Sequence, residues 1–455
     1  MKKFFIALEE QNEELLSEEI APELITEENE NDITNIESEP EELIEDIEED
    51  VEDVERAEDV TDALESLCEI IRHIDSPTPV NVALIKVAAN MAVAGTNVPA
   101  NALFSANEDF TDLKVTVEGI QDKISSSLKT IAESVKSIVT KVTAFFKSIF
   151  SAYTRYSEKL KSLKAKLEGI KKSKSAKSVT VSVSGGRFFR HDGNKVIGSA
   201  AEFLSVFKDS SNVVNSFADI FGSQAKDTIS TIANLYKHLL ASKEGSDKNI
   251  LEVYKKFDAF FGKLTSLPSM KMASNSRNDD FQIYESAPGM GGVSIVVKVP
   301  KGDFDKNNVK EVKGAISLYY LSTNSSDNVK SSLSGSEKIT FENVDLAYVN
   351  SLLTQCEKNL EASKVYSSML FKLNTWYSTL NWGSDHPAMG GAGNIIGKMV
   401  VDYLSINIKM ARAMSLSIAY MGKASWRNAN GTISTALKVA DKILSSKDWS
   451  ASVAA

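Results

Sequence analysis

From Leu113 to Ile170 an apolar or aromatic residue returns every three or four positions without a gap. Leu113, Val117, Ile120, Ile124, Leu128, Ile131, Val135 and Ile138 lead into Val142, Phe145, Ile149, Tyr153, Tyr156, Leu160, Leu163, Leu167 and Ile170. The steps alternate four and three, apart from two doubled fours, Ile120 to Ile124 to Leu128 and Phe145 to Ile149 to Tyr153. That period predicts one very long helix or a coiled coil. No proline stands between Pro99 and Pro268, so nothing in the backbone forces a break. At about 1.5 Å per residue such a helix reaches roughly 85 Å. Gly119 is its weakest internal point. Val139, Phe146 and Phe150, beside the stripe, give its middle a second apolar face. The expected fold class follows: mainly α, with long helices, a coiled-coil-like stripe, a small antiparallel β insertion and a disordered acidic N-terminal arm.

The charge on this chain is divided in two. Residues 1–108 hold 30 Asp and Glu against 5 Lys and Arg, a net of −25, whereas residues 109–455 hold 32 against 46, a net of +14. The overall value of −11 hides both. A split of this kind marks an interaction or accessory tail. Residues 9–62 are low-complexity acid, too poor in apolar residues to bury a core, and read as disordered or as turns formed only on contact. Residues 63–76 and 79–95 read as two short helices.

Beyond the acidic segment 1–108, the chain divides by pattern. Residues 109–177 form the long basic helix, with 15 Lys and Arg against 6 Asp and Glu over 111–177. Residues 178–199 alternate and turn at Gly185-Gly186, with Asp192-Gly193-Asn194 as a second turn; they read as a β-hairpin. Residues 200–264 are helical. Residues 265–343 hold a polar linker at 265–280. Four strands of one small antiparallel sheet follow: FQIYE, VSIVVKV, AISLYYLS and KITFENV. Residues 344–455 are helical and expected to pack with 109–264.

Little in the sequence carries chemistry. No catalytic residue, metal ligand or cofactor site is expected. His73, His191, His238 and His386 are scattered, and none is paired at metal-binding spacing. Cys68 and Cys356 give no disulfide framework and suit a reducing compartment. Cys356 sits in a helical pattern and reads as a buried structural thiol. Gly383-Ser384-Asp385-His386-Pro387 reads as a turn, because catalytic triads are assembled from distant positions. The Gly-rich stretches 289–292 and 390–394 lack the context of a phosphate loop. Met399, Met410, Met414 and Met421 read as core filling. The opening MKKFFIAL is too short for a secretory h-region, and no stretch is apolar enough to span a membrane.

The basic helix offers phosphate contacts at Lys159, Lys161, Lys164, Lys166, Lys171, Lys172, Lys174 and Lys177. Arg is scarce and aromatics are not interleaved, so contact with DNA would be electrostatic and without sequence preference. At the charge reversal stands Ala106-Asn107-Glu108. A cut after Glu108 would turn a chain of −11 into a body of +14. Ala63-Leu64-Glu65 is the second choice, and similar triplets end at Glu9, Glu19, Glu202, Glu244 and Glu337.

With its acidic leader, its small-residue-x-Glu triplet, its helical, cysteine-poor basic body and its MKKFFIALEE start, the chain resembles the internal head proteins of giant phiKZ-like bacteriophages. The resemblance implies a structural, non-enzymatic virion protein that begins in the host cytoplasm. A prohead protease would remove its propeptide, and the mature body would stay in the capsid interior. Implied partners are that protease, capsid or other internal head proteins, and packaged DNA. Self-association through 113–170 is open, and no membrane contact is expected. A coiled-coil scaffold or adaptor with a permanent acidic tail is the alternative reading. An α-helical pore-forming protein is a further one, opposed by the polar 178–199 segment.

Overall fold

The computed structural model describes residues 46–47, 49–50, 63, 87, 113–172, 178–184, 186–191, 195–225, 227–231, 247–273, 280–302, 304–325, 338–379 and 395–449. Most of the 1–108 segment lies outside these, although Ala63 and Val87, from the two short helices expected there, are helical.

The 3.5-residue stripe folds as one helix, α1, Leu113–Lys172. Ile138, Val142, Phe145, Tyr153, Leu160, Leu163 and Leu167 are all buried on it, and so are the off-stripe Val139 and Phe146. The chain supplies its own partners for this face. Helices α5 (Leu346–Thr379), α6 (Ile395–Arg427) and α7 (Ser434–Leu444) pack against α1. Tyr153 on α1 hydrogen-bonds Ser425 on α6 at 3.0 Å in the buried seam. At Gly422 of α6 an added Cβ would run into the rings of Phe145 and Phe146, so the two helices approach at a point only glycine permits. Met410, Met414 and Met421 are fully buried on α6, which is core filling.

A short β ladder ties the end of α1 to the start of α5. Strand β1 (Val179–Ser184) pairs antiparallel with β8 (Lys338–Val344). Val179, Val181 and Val183 face inward on one, and Ile339, Phe341 and Val344 on the other. One extra residue of β8 bulges out near Asn343, which takes a φ of 48° that asparagine tolerates better than most residues. Phe189 and Phe203 close over this ladder, with Phe203 edge-on to Phe341 at 5.5 Å.

Helix α2 (Ala200–Ile220) opens with a capping box. The Glu202 amide donates to Ser199 Oγ, and the Gly198 amide donates to the Glu202 carboxylate. Against α5, α2 buries a polar seam in which Asn359 donates to Ser211 Oγ at 2.6 Å and accepts from Asn215 and Gln355. Helix α3 (Asp247–Thr265) and the short α4 (Val309–Ile316) accompany a four-stranded antiparallel sheet. Its order is β4 (Met270–Met272), β5 (Phe281–Ser286), β6 (Val293–Pro300) and β7 (Tyr320–Ser325). Tyr319 meets Phe257 and Phe261 of α3 and donates to Asp258. Strand β7 leans on α6, where Tyr320 donates to Tyr420.

The helical plan and the small sheet agree with the sequence pattern; several β pairings do not. The hairpin expected across Gly185-Gly186 does not form, because β1 takes a partner more than 150 residues away. The strands that flank the second expected turn, β2 (Arg190–His191) and β3 (Lys195–Val196), do pair antiparallel, while residues 192–194 lie outside the described residues. KITFENV belongs to that ladder and not to the four-stranded sheet. The fourth strand is instead Met270–Met272, inside the expected linker. AISLYYLS divides: Ala315 and Ile316 end α4, and the strand begins at Tyr320. Period-two alternation marks which residues can be strands but says nothing about distant partners.

Candidate electrostatic interface on the long helix

Six of the eight nominated lysines are described, and Lys174 and Lys177 lie outside the described residues. Lys159 and Lys166, seven positions apart, sit two turns from each other on one side of α1 and share Asp441 of α7, at 2.7 and 3.2 Å. Lys166 also donates to Ser445 Oγ. Burial pushes the Asp441 carboxyl up, but the hydrogen bonds and charges of Lys159 and Lys166 outweigh it and hold the group below its ordinary value. Lys164 reaches Glu357 of α5 at 2.6 Å. Lys171 pairs with Glu168 one turn back at 3.0 Å. Lys161 and Lys172 are exposed and have no acidic partner among the described residues. They are eleven positions apart, about three turns, and so point from the same face.

Acid meets α1 a second time, further up the helix. Asp46, Ile47, Glu49 and Asp50 are helical. The Asp50 carboxylate lies 2.9 Å from Lys141 Nζ and accepts from the Ser137 hydroxyl at 3.1 Å. Lys141 also donates to the Asp46 carbonyl at 3.2 Å. Between these two acids Ile47 is 2 % exposed. This contact was missed in the sequence, although a signal was present: Ile44, Ile47, Val51 and Val54 are spaced by three and four within the acid run.

The remaining candidates are structural or lie outside the described residues. Ala106-Asn107-Glu108 lies outside them, and so do Leu64 and Glu65. Of the other triplets, Glu202 is held in the first turn of α2. His191 contacts Glu202 at 3.3 Å, beside Lys195. Cys356 is fully buried, and burial pushes its thiol up, away from the reactive thiolate. Met290–Gly292 forms a tight turn into β6, with Gly291 and Gly292 both at positive φ. Residues 383–387 and 390–394 lie outside the described residues. Among the described residues no group of three or more His, Cys, Asp or Glu could hold a metal ion. No helix among them is long and apolar enough to cross a membrane.

Residues 28–423 match the family model of phiKZ-like phage internal head proteins. The chain belongs to this family. It is therefore a structural protein of the bacteriophage virion, placed inside the head. No curated protein and no solved structure matches it. The matched region of this internal head protein starts within the acidic segment and ends inside α6, so it takes in most of both charge halves.

Proposed function

We propose that this internal head protein is made as a precursor whose acidic segment is removed after Glu108 by the prohead protease. The basic body then stays in the capsid, beside packaged DNA. The observation that carries this reading is the coincidence of Ala106-Asn107-Glu108 with the reversal from −25 to +14. The site also stands five residues before Leu113, where α1 begins, so a cut there spares the helix. Before the cut, the acidic segment lowers the affinity of the body for polyanions; afterwards, nothing opposes it except salt.

In the mature body Lys161 and Lys172 are the first phosphate contacts, since their ammonium groups are exposed. Lys159, Lys164, Lys166 and Lys171 add to them only by exchanging a carboxylate for a phosphate. Exposed ion pairs of about 0–1 kcal/mol permit that exchange. Contact is to the DNA backbone, without sequence preference.

Intact-mass measurement on protein from purified particles tests the processing. A new N-terminus at Asp109 is expected, with no peptide from 1–108. A full-length chain in mature particles overturns the reading and leaves an adaptor with a permanent acidic tail. Cutting after Glu65 would preserve the precursor logic with a smaller change of charge.

A further inference from the structure

In the full-length chain the turn at Asp46–Asp50 takes up the donors that a polyanion would seek on the middle of α1. One anionic oxygen of Asp50, Oδ2, lies within hydrogen-bonding range of both Lys141 and Ser137, where an oxygen of a phosphodiester could sit. The Asp46 carbonyl accepts a further hydrogen bond from Lys141. Ile47, between them, is buried, and this hold is indifferent to salt. We propose that residues 46–50 are an autoinhibitory clip: they occupy the Ser137–Lys141 face of α1 and keep DNA phosphates off it until the acidic segment is released.

The clip differs in kind from repulsion by diffuse negative charge. Repulsion fades over a Debye length of roughly 8–10 Å at ordinary ionic strength. A seated turn with a buried isoleucine keeps its place there. The clip also gives the cut a mechanical consequence. While tethered, the turn faces Lys141 at an effective concentration on the order of millimolar, and cleavage turns the same contact into a bimolecular one. The inference rests on the proposed processing for its timing, but not for the contact itself.

The test sets the two accounts against each other in sign. Ile47→Asp makes the full-length chain one unit more acidic, so net charge alone predicts weaker binding to DNA. If the turn is a clip, the same change unseats it. Amides at 46–50 then exchange hydrogen faster, and random-sequence duplex DNA binds roughly tenfold tighter at low salt, the factor attached to losing one buried aliphatic contact. Ile47→Ser, which leaves the charge unchanged, should move both readouts the same way. Unchanged exchange, or faster exchange without tighter DNA binding, overturns the proposal. If particle protein proves uncut, the processing reading fails, but the exchange and binding of the full-length variants still judge the clip.

Discussion

Two of the carboxylates that meet α1, Asp441 and Asp50, are held in opposite ways. Asp441 comes from α7, is gripped by two lysines, and belongs to the packed body. Asp50 comes from the acidic segment, is gripped by one lysine and a serine, and is steadied by Ile47 beside it. The first contact joins α1 to a helix most of whose residues are buried in the body. The second is made by helical residues of the acidic segment, with Ile47 buried beside the acid. On the proposed processing, one helix carries a permanent anchor and a removable one, and the difference lies in what stands behind each acid.

This contrast breaks if the body needs the turn in order to fold, and the largest effects should therefore lie in the body. Phe146→Ala removes a fully buried ring from the seam between α1 and α6, beside Gly422. It should cost about 3–5 kcal/mol in urea unfolding of the full-length chain. Gly422→Ala forces a methyl group against the same rings and should cost about 1–3 kcal/mol. Ile47→Ser should leave the main unfolding transition where it is, since the contact it weakens belongs to the acidic segment and not to the packing among α1, α5, α6 and α7. A comparable loss from Ile47→Ser would make the turn part of the core.

Much of this contrast can be read in the sequence, but not all of it. The stripe from Leu113 to Ile170 names the long helix because 3.5-residue periodicity is a local property of the chain. The same stripe does not say that α5, α6 and α7 cover it, because burial against another copy would leave the same pattern. Phe146, outside the stripe, was the hint that more than one neighbour was needed. Lysine spacing marks a basic face but not Asp441 or Glu357, which lie about 280 and 190 positions further on and carry no motif. Val179–Ser184 reads as a strand, yet its partner at Lys338–Val344 is set by tertiary packing. The turn at Ile47 was hidden by composition: an acid run reads as solvated, and a short apolar spacing within it is easily passed over.

A middle-sized effect sharpens the comparison at the permanent anchor. Asp441→Asn should cost about 1 kcal/mol near neutral pH, because partly exposed pairs are weak and two of them end on one carboxylate. The pH dependence has a definite sign. The folded Asp441 carboxyl sits below its ordinary value, so its contribution is fully present above that value and falls as acid protonates it. The difference between wild type and Asp441→Asn should shrink as pH drops below about 4. A difference that grows in acid would mean that burial, and not the two lysines, governs the group.

The smallest effect belongs to a third acid, Glu202, which ties only its own neighbourhood. The Gly198 amide and then Lys195 lower its carboxyl to about 2, against a slight opposing push from burial, and His191 adds to the lowering. Its carboxylate therefore favours the fold above about 4.5, and that help is lost as pH falls towards 2. Glu202→Gln keeps the side chain's shape and its acceptor oxygen for the Gly198 amide but removes the charge. Its melting temperature should lie slightly below wild type at neutral pH, and the two should converge in acid. Because Glu202 spans one capping turn and Asp441 joins two helices, the shift should be smaller than that of Asp441→Asn. The reverse order would mean that the entry to α2, and not the α1–α7 seam, is the point from which the body begins to open.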